Sequence, residues 1–318
     1  MKEGESMKYI LKKISTLIIT LLIVSALVFF AFSLIPGNPA VSKLGTQATP
    51  EAIENLMHEM GLDRPVVTRY IEWVGGILHG DFGTSYSYNQ SVTSLLKEKI
   101  VITMLLSVMA IILTVLISFP LGIYAARKSD SKLDVIITSV NQFIMSVPSF
   151  FSGIIITLIF GIALKMFSPG GFVSYKQSFI RCIGYLFFPS ISIALPKIAM
   201  VVKLLRDTAL KEADKDYVRT AYSRGNRTRA VFYKHVLKNA CIPVITFLGM
   251  AFADIIAGSL IVEQVFSVPG LGRILLTSIS GRDYPVVEAI ILLLSVFVVV
   301  SNLIVDLLYR KFDPRIHV

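Results

Sequence analysis

Charge is what this sequence has least of. Only 16% of its 318 residues are Asp, Glu, Lys or Arg, while 54% are hydrophobic. A soluble surface needs roughly 25% charge or more, so a water-soluble fold is excluded for most of the chain and its solvent is lipid. Cysteine is scarce too. Cys182 and Cys241 stand far apart without metal-ligand spacing, which leaves neither a disulfide framework nor a thiolate site to argue from. The four histidines (His58, His79, His235, His317) form no cluster and all lie outside the apolar runs. His58 and His79 therefore make no metal site, and an intramembrane hydrolase loses its expected base. No stretch fits G-x-x-x-x-G-K-[ST] or H-E-x-x-H, so the chain carries no phosphate cradle and no zinc-protease motif. No internal repeat and no low-complexity tract is present.

What the sequence does have is long apolar runs. A hydrocarbon core of about 30 Å takes roughly 20 residues of helix. Six runs qualify, at Ile14–Ile35, Ile100–Tyr124, Val135–Leu164, Phe187–Leu205, Ile242–Val262 and Val286–Leu308. The first is longer than a signal-peptide core and ends in PGNP rather than at a small-residue cleavage site, so it reads as a retained helix. MKYILKK from Met7 already forms a complete lead-in to it. The third run contains Pro148, where a kink or break is expected. Six spans put both termini on one side. That side then holds twenty of the 31 basic residues, the other ten, and Lys197 lies within a span. The positive-inside rule places both termini in the cytoplasm. The fold expected is an all-α polytopic membrane protein. Its parts are residues 1–35 (cytoplasmic N-terminus and first span), 36–99 (an extracytoplasmic segment), 100–310 (the core) and 311–318 (a cytoplasmic tail).

Within 36–99, Thr49 is placed to cap a helix that has Pro50 in its first turn and closes at Gly61. RPVVTRYIEWVGGILHGDFG reads as a second amphipathic helix ending at Gly80. Neither is long or apolar enough to cross.

One polar island interrupts the apolar chain. Asp216–Asn239, DYVRTAYSRGNRTRAVFYKHVLKN, carries six basic residues and one acid. On a helix, Ala213, Tyr217 and Ala221 align, with Val218 and Tyr222 beside them. Gly225-Asn226 supplies a stop with a residue free to take positive φ. Thr228 is then placed to cap a second helix, whose face of Phe232, Val236 and Asn239–Ala240 leads into the next span. A lipid-binding basic loop would not need a glycine at a fixed corner. A short loop tied to the membrane at both ends cannot enter a DNA groove, so no nucleic-acid partner is expected. Aromatic and small residues inside a charged rim suit protein docking; a plain solvated loop is the alternative.

These residues also carry a resemblance. DYVRTAYSRG followed by YKHVLKNACIPVITFLG resembles the cytoplasmic loop of permeases in binding-protein-dependent ABC importers, and within them the first permease of dipeptide, oligopeptide and nickel systems. The general pattern is E-A-A, three residues, G, nine residues, I-x-L-P. Ala221, Gly225 and Leu237 match it, while Arg219, His235 and Lys238 replace the glutamate, isoleucine and proline, as the peptide-type branch does. SLIPGNPA (33–40), HGDFGTSY (79–86), EQVFSVPGLGRIL (263–275), RDYP (282–285) and DPRI (313–316) extend the resemblance over Met7 to Val318.

The resemblance implies a type I importer membrane domain with about six spans. It implies a second homologous permease, two cytoplasmic ATPases that bind the ATP and magnesium, and an extracytoplasmic solute-binding protein, all in a bacterial or archaeal cell membrane. No cofactor would be bound by this chain and no catalysis performed by it. Segment 206–240 becomes the coupling loop, centred on the helix that Asp216 opens. Tyr217, Val218, Ala221 and Tyr222 would insert into an ATPase cleft, Arg219 and Arg224 would pair at its rim, and Gly225 would set the turn. The loop 263–285, with Glu263, Pro269 and Gly270, becomes a lid at the outer gate, its base held by Arg282 and Asp283. Leu271, Ile274, Leu275 and Ser278 share one face there. The cargo expected is peptide, with nickel or a metal chelate as the alternative.

Ionisable and amide groups inside spans are costly. Asn302 and Gln142 suit contacts between helices, and Asp306 is spaced to pair with Arg310. Lys197 and Asp254 either line the translocation path or pair with each other. A self-contained channel remains a rival, since it would conduct without any docking loop.

Overall fold

The computed structural model describes residues 3–35, 37–45 and 48–312. Those residues are helical with no strand, and a single isolated bridge joins Thr84 to Ser91. The helices are α1 (Glu3–Leu34), α2 (Pro39–Leu44), α3 (Pro50–Glu59), α4 (Val66–Leu78), α5 (Val92–Arg127), α6 (Lys132–Ser146) and α7 (Ser149–Ile156), which ends in a π-helical turn, Thr157–Ala163. Then come α8 (Phe179–Ala213), α9 (Asp216–Ser223), α10 (Thr228–Val231), a second π-helical turn (Phe232–Val236), α11 (Leu237–Val265), α12 (Leu271–Ser280) and α13 (Tyr284–Phe312). The DPRI motif lies outside the described residues, as do the side chains of the expected Asp306–Arg310 pair.

Five of the six expected spans are present as single helices, and most run beyond their apolar cores. The fourth, expected over Phe187–Leu205, is the 35-residue α8. It contains Pro189 and Pro196, and α5 and α11 contain Pro120 and Pro243. Proline is tolerated in such helices because neighbouring groups re-satisfy the freed carbonyls. The third expected span is two helices. α6 stops at Val147-Pro148, and the chain from Ser149 departs at 102°. Proline removes a donor and disfavours a helical residue before it, and Val147 is accordingly extended at φ −96°, ψ 121°. Five helices are long and apolar enough to cross a membrane, or six if this bent pair crosses as one. The protein is a multi-pass membrane protein.

Two compact units divide the chain. One comprises residues 1–103 with 269–300, the other 104–268 with 301–318. In the second, α8 is the axis. Two-thirds (67%) of its most apolar window is buried, against 11% for α1. It packs along α11, α6 and α7, with Val201, Leu205 and Val244 at one centre.

In the first unit the expected caps are present. Thr49 Oγ1 accepts from Ala52 N at 3.3 Å with Pro50 in the first turn, and Gly61 follows the helix end with φ +64°. α4 ends before Gly80, at φ +79°. Asn38 caps α2, its Oδ1 accepting from Ala40 N at 2.9 Å.

Candidate functional site

The polar island folds as a braced corner. α8 runs out at Ala213, and Lys215 Nζ lies 2.6 Å from Glu212 Oε2. That bond holds the Lys215 ammonium above the usual lysine range. α9 then turns one face inward. Val218 and Ala221 are buried with Ala126, Ala209, Val231, Val236 and Ala240. Tyr217 ties three elements together, its hydroxyl 2.9 Å from Glu212 Oε1 and accepting from Asn239 Nδ2 at 2.9 Å. Partial burial raises its phenol above the ordinary tyrosine value, so it stays a neutral donor.

Gly225 has φ +76°, where side chains with a Cβ are strained. Asn226 Nδ2 closes the corner on the Ala221 carbonyl at 3.0 Å. The second helix begins at Thr228, which does not cap it: Arg227 occupies the cap position without a side-chain bond. Arg227 and Thr228 are exposed, whereas Val236 and Ala240 are buried as the alignment required.

The site expectation is thus corrected in one respect. Val218 and Ala221 belong to this chain's own core rather than to a face open to a partner, while Tyr217 is braced by its bonds yet 37% exposed. What the corner offers outward is Tyr222, 45% exposed, with Arg219, Ser223, Arg224 and Asp216 around it, all exposed. The ion pair on this rim, Arg219 to Asp216 at 3.8 Å, is exposed and contributes little.

The loop between α11 and α13 is built around Asp283. It has no solvent exposure. Its carboxylate accepts from Ser85 Oγ (2.5 Å), Tyr86 N (2.9 Å) and Ser87 N (3.2 Å). Arg282, at φ +55°, sits against Gly37, where a Cβ would collide with its guanidinium. Three of the quoted sequence stretches (SLIPGNPA, HGDFGTSY and RDYP) are therefore in contact within one unit. Pro269-Gly270 starts α12, and Leu271 N donates to Thr103 Oγ1 at 2.9 Å. Leu271, Ile274 and Ser278 are buried and Leu275 half-buried, as the shared face required.

Beneath this loop lies a cavity of about 440 Å³ lined by Arg69, Trp73, Tyr86, Tyr284 and Glu288 among others. Burial, with nearby Glu288 and Asp283, pushes the Tyr86 phenol up to about 12 despite Arg69. Glu263 does not line an open path. It is fully buried in the last turn of α11, where its carbonyl accepts from Val268 N at 2.8 Å. Lys197 and Asp254 form an ion pair at 2.9 Å between α8 and α11, the lysine side chain 18% exposed and the aspartate 68%.

The sequence matches two family profiles. The profile of the binding-protein-dependent transport system inner membrane component matches residues 118–318, and that of its N-terminal region matches residues 6–107. The chain belongs to this family. Among its relatives are a protein of Brucella suis biovar 1 named as a peptide transport system permease (35% identity, 97% of this chain and 98% of that one). Others are the oligopeptide transport system permease AppB of Bacillus subtilis (34%, 97% and 98%) and the dipeptide transport system permease DppB of Lactococcus lactis (32%, 97% and 99%).

Two features of the permease escaped the sequence analysis. Asp134, in the first turn of α6, is 2% exposed and receives a two-pronged bond from Arg206 of α8, Nε to Oδ1 and Nη2 to Oδ2, both at 2.7 Å. Ser85 sits buried under Asp283. Charge within an apolar run could have marked Asp134, but it falls at the edge of one and reads as a loop residue. Nothing in the sequence distinguishes Ser85 from its neighbours.

Proposed function

We propose that this permease forms, with a second homologous permease, the translocation path of an ATP-driven importer in a bacterial or archaeal cell membrane. Its cargo is peptide, delivered by an extracytoplasmic binding protein. Two ATPase subunits dock beneath the membrane and supply the ATP hydrolysis. One observation carries this reading. α9 presents Tyr222 and two arginines outward while its inner face is fixed in the same core as α8 and α11. A docking element transmits work only if its partner's two states displace it differently and it is too rigid to absorb the displacement. The buried Val218–Ala221 face and the Tyr217 bonds supply that rigidity. The names of the relatives favour peptide over a metal chelate.

The test is ATP-driven uptake into vesicles holding the complete transporter. Tyr222→Asp, at an exposed position, should leave the permease folded and in the membrane. It should lower uptake of a labelled peptide by tenfold or more and abolish stimulation of ATP hydrolysis by loaded binding protein. Undiminished uptake would refute the coupling role of α9. Uptake of a nickel chelate but of no peptide would replace the cargo and keep the coupling.

A further inference from the structure

α4 is amphipathic in an unusual way, because it has three faces rather than two. One face packs against α1: Tyr70 OH lies 3.0 Å from Ser25 Oγ, Trp73 lies 5.5 Å from Phe29 ring to ring, and Arg69 stands 5.8 Å over the same ring. A second face is polar, with Thr68 and Glu72, and Glu72 is neutralised by Arg64 at 2.9 Å. The third is a stripe of Val67, Ile71, Val74 and Leu78, at the spacing of one helical face. Val67 is 60%, Ile71 64% and Leu78 81% exposed.

Where that stripe lies follows from α1. The apolar span of α1 ends at Leu34, its outer end by the positive-inside rule. Tyr70 OH reaches Ser25 and approaches the Leu22 carbonyl at 3.5 Å. Leu22 stands twelve residues before Leu34, about 18 Å along a helix, and half the hydrocarbon thickness is about 15 Å. A tyrosine side chain spans little more than one helical turn of about 5.4 Å, so the α4 backbone beside it lies well below the outer end of the span. α1 itself leaves Ile23 and Leu27 open, as a lipid-facing helix does. It is purely aliphatic, without the exposed aromatic or arginine anchors that mark protein interfaces.

We propose that α4 is embedded in the outer leaflet, its Val67–Ile71–Val74–Leu78 stripe against lipid acyl chains and its Thr68–Glu72 side toward water. At 13 residues it cannot cross. It lies within the outer leaflet as an amphipathic anchor, with Tyr70 and Trp73 turned onto α1. Segment 36–99 is then partly a membrane element, and the outer loop that its 79–91 end supports is moored to the bilayer.

The experiment places nitroxide labels on Ile71→Cys, Leu78→Cys and Thr68→Cys, each in a chain whose Cys182 and Cys241 are replaced by alanine. The complete transporter is reconstituted in vesicles of phosphatidylethanolamine and phosphatidylglycerol. Collision with oxygen, which partitions into lipid, is compared with collision with a water-soluble nickel chelate. Labels at 71 and 78 should favour oxygen several-fold, and the label at 68 should favour the chelate. Chelate accessibility at 71 and 78 would place α4 in water. Shielding from both reagents would mean that a protein covers the stripe. Either result overturns the proposal. If Ile71→Cys fails to assemble, Val67→Cys reports on the same stripe.

Discussion

Asp283→Ala should destabilise the unit that holds it by about 3 kcal/mol, the order expected when a buried donor loses a charged acceptor. The carboxylate is fully buried and receives Ser85 Oγ, Tyr86 N and Ser87 N. Truncation leaves all three donors without this acceptor, Ser85 buried, Tyr86 half-buried and Ser87 exposed. Ser85 Oγ also accepts from Tyr88 N at 3.0 Å, so the loss reaches the turn at 85–88. Thermal unfolding in detergent should show the loss, and limited proteolysis should open the chain between Gly80 and Val92. Asp283→Asn retains one acceptor oxygen and should lose less. A melting temperature unchanged by Asp283→Ala would show that the loop is held by something other than this carboxylate.

The second large effect is expected at the clamp between α6 and α8. Asp134→Ala leaves the Arg206 guanidinium, 20% exposed, without its two-pronged partner. Breaking one side of a buried pair costs about 3–5 kcal/mol. The lower end is expected here, because Asp207 Oδ1 stays 3.2 Å from Arg206 Nη1. Replacing both partners removes the stranded charge as well, so Asp134→Leu with Arg206→Met should recover most of the lost stability in the same unfolding assay. If the double variant is as unstable as the single one, the clamp's role is not chiefly that of a paired charge. Recovery of stability without recovery of transport would show that the clamp also carries motion between α6 and α8.

How far the sequence foretold this molecule depends on the kind of feature. Spans were legible because lipid demands a long apolar run and internally satisfied backbone bonds, both written directly in composition. Caps and corners at Thr49, Gly61, Gly80 and Gly225 were legible because they depend on one or two adjacent residues. The inward turn of Val218 and Ala221 was not. The stripe on α9 is visible in sequence, but which of its residues meet this chain's core and which remain free depends on Val231, Val236 and Ala126, which arrive from elsewhere in the chain. The bend at Pro148 was anticipated, whereas its 102° angle depends on the packing of α6 and α7 against α8. The Lys197–Asp254 and Asp134–Arg206 pairs each join residues more than fifty positions apart. The first was named as one of two options because both charges sit in mid-span. The second went unseen because Asp134 stands where a helix begins and acids are ordinary.

The docking corner is tested most directly by cross-linking within the assembled transporter. A photoreactive side chain at position 222 should link to an ATPase subunit, with a yield that changes between nucleotide-free and ATP-bound states. The same group at position 218 should link only within the permease. Position 222 remaining unlinked to any ATPase while ATP-driven uptake proceeds would contradict a coupling role for α9.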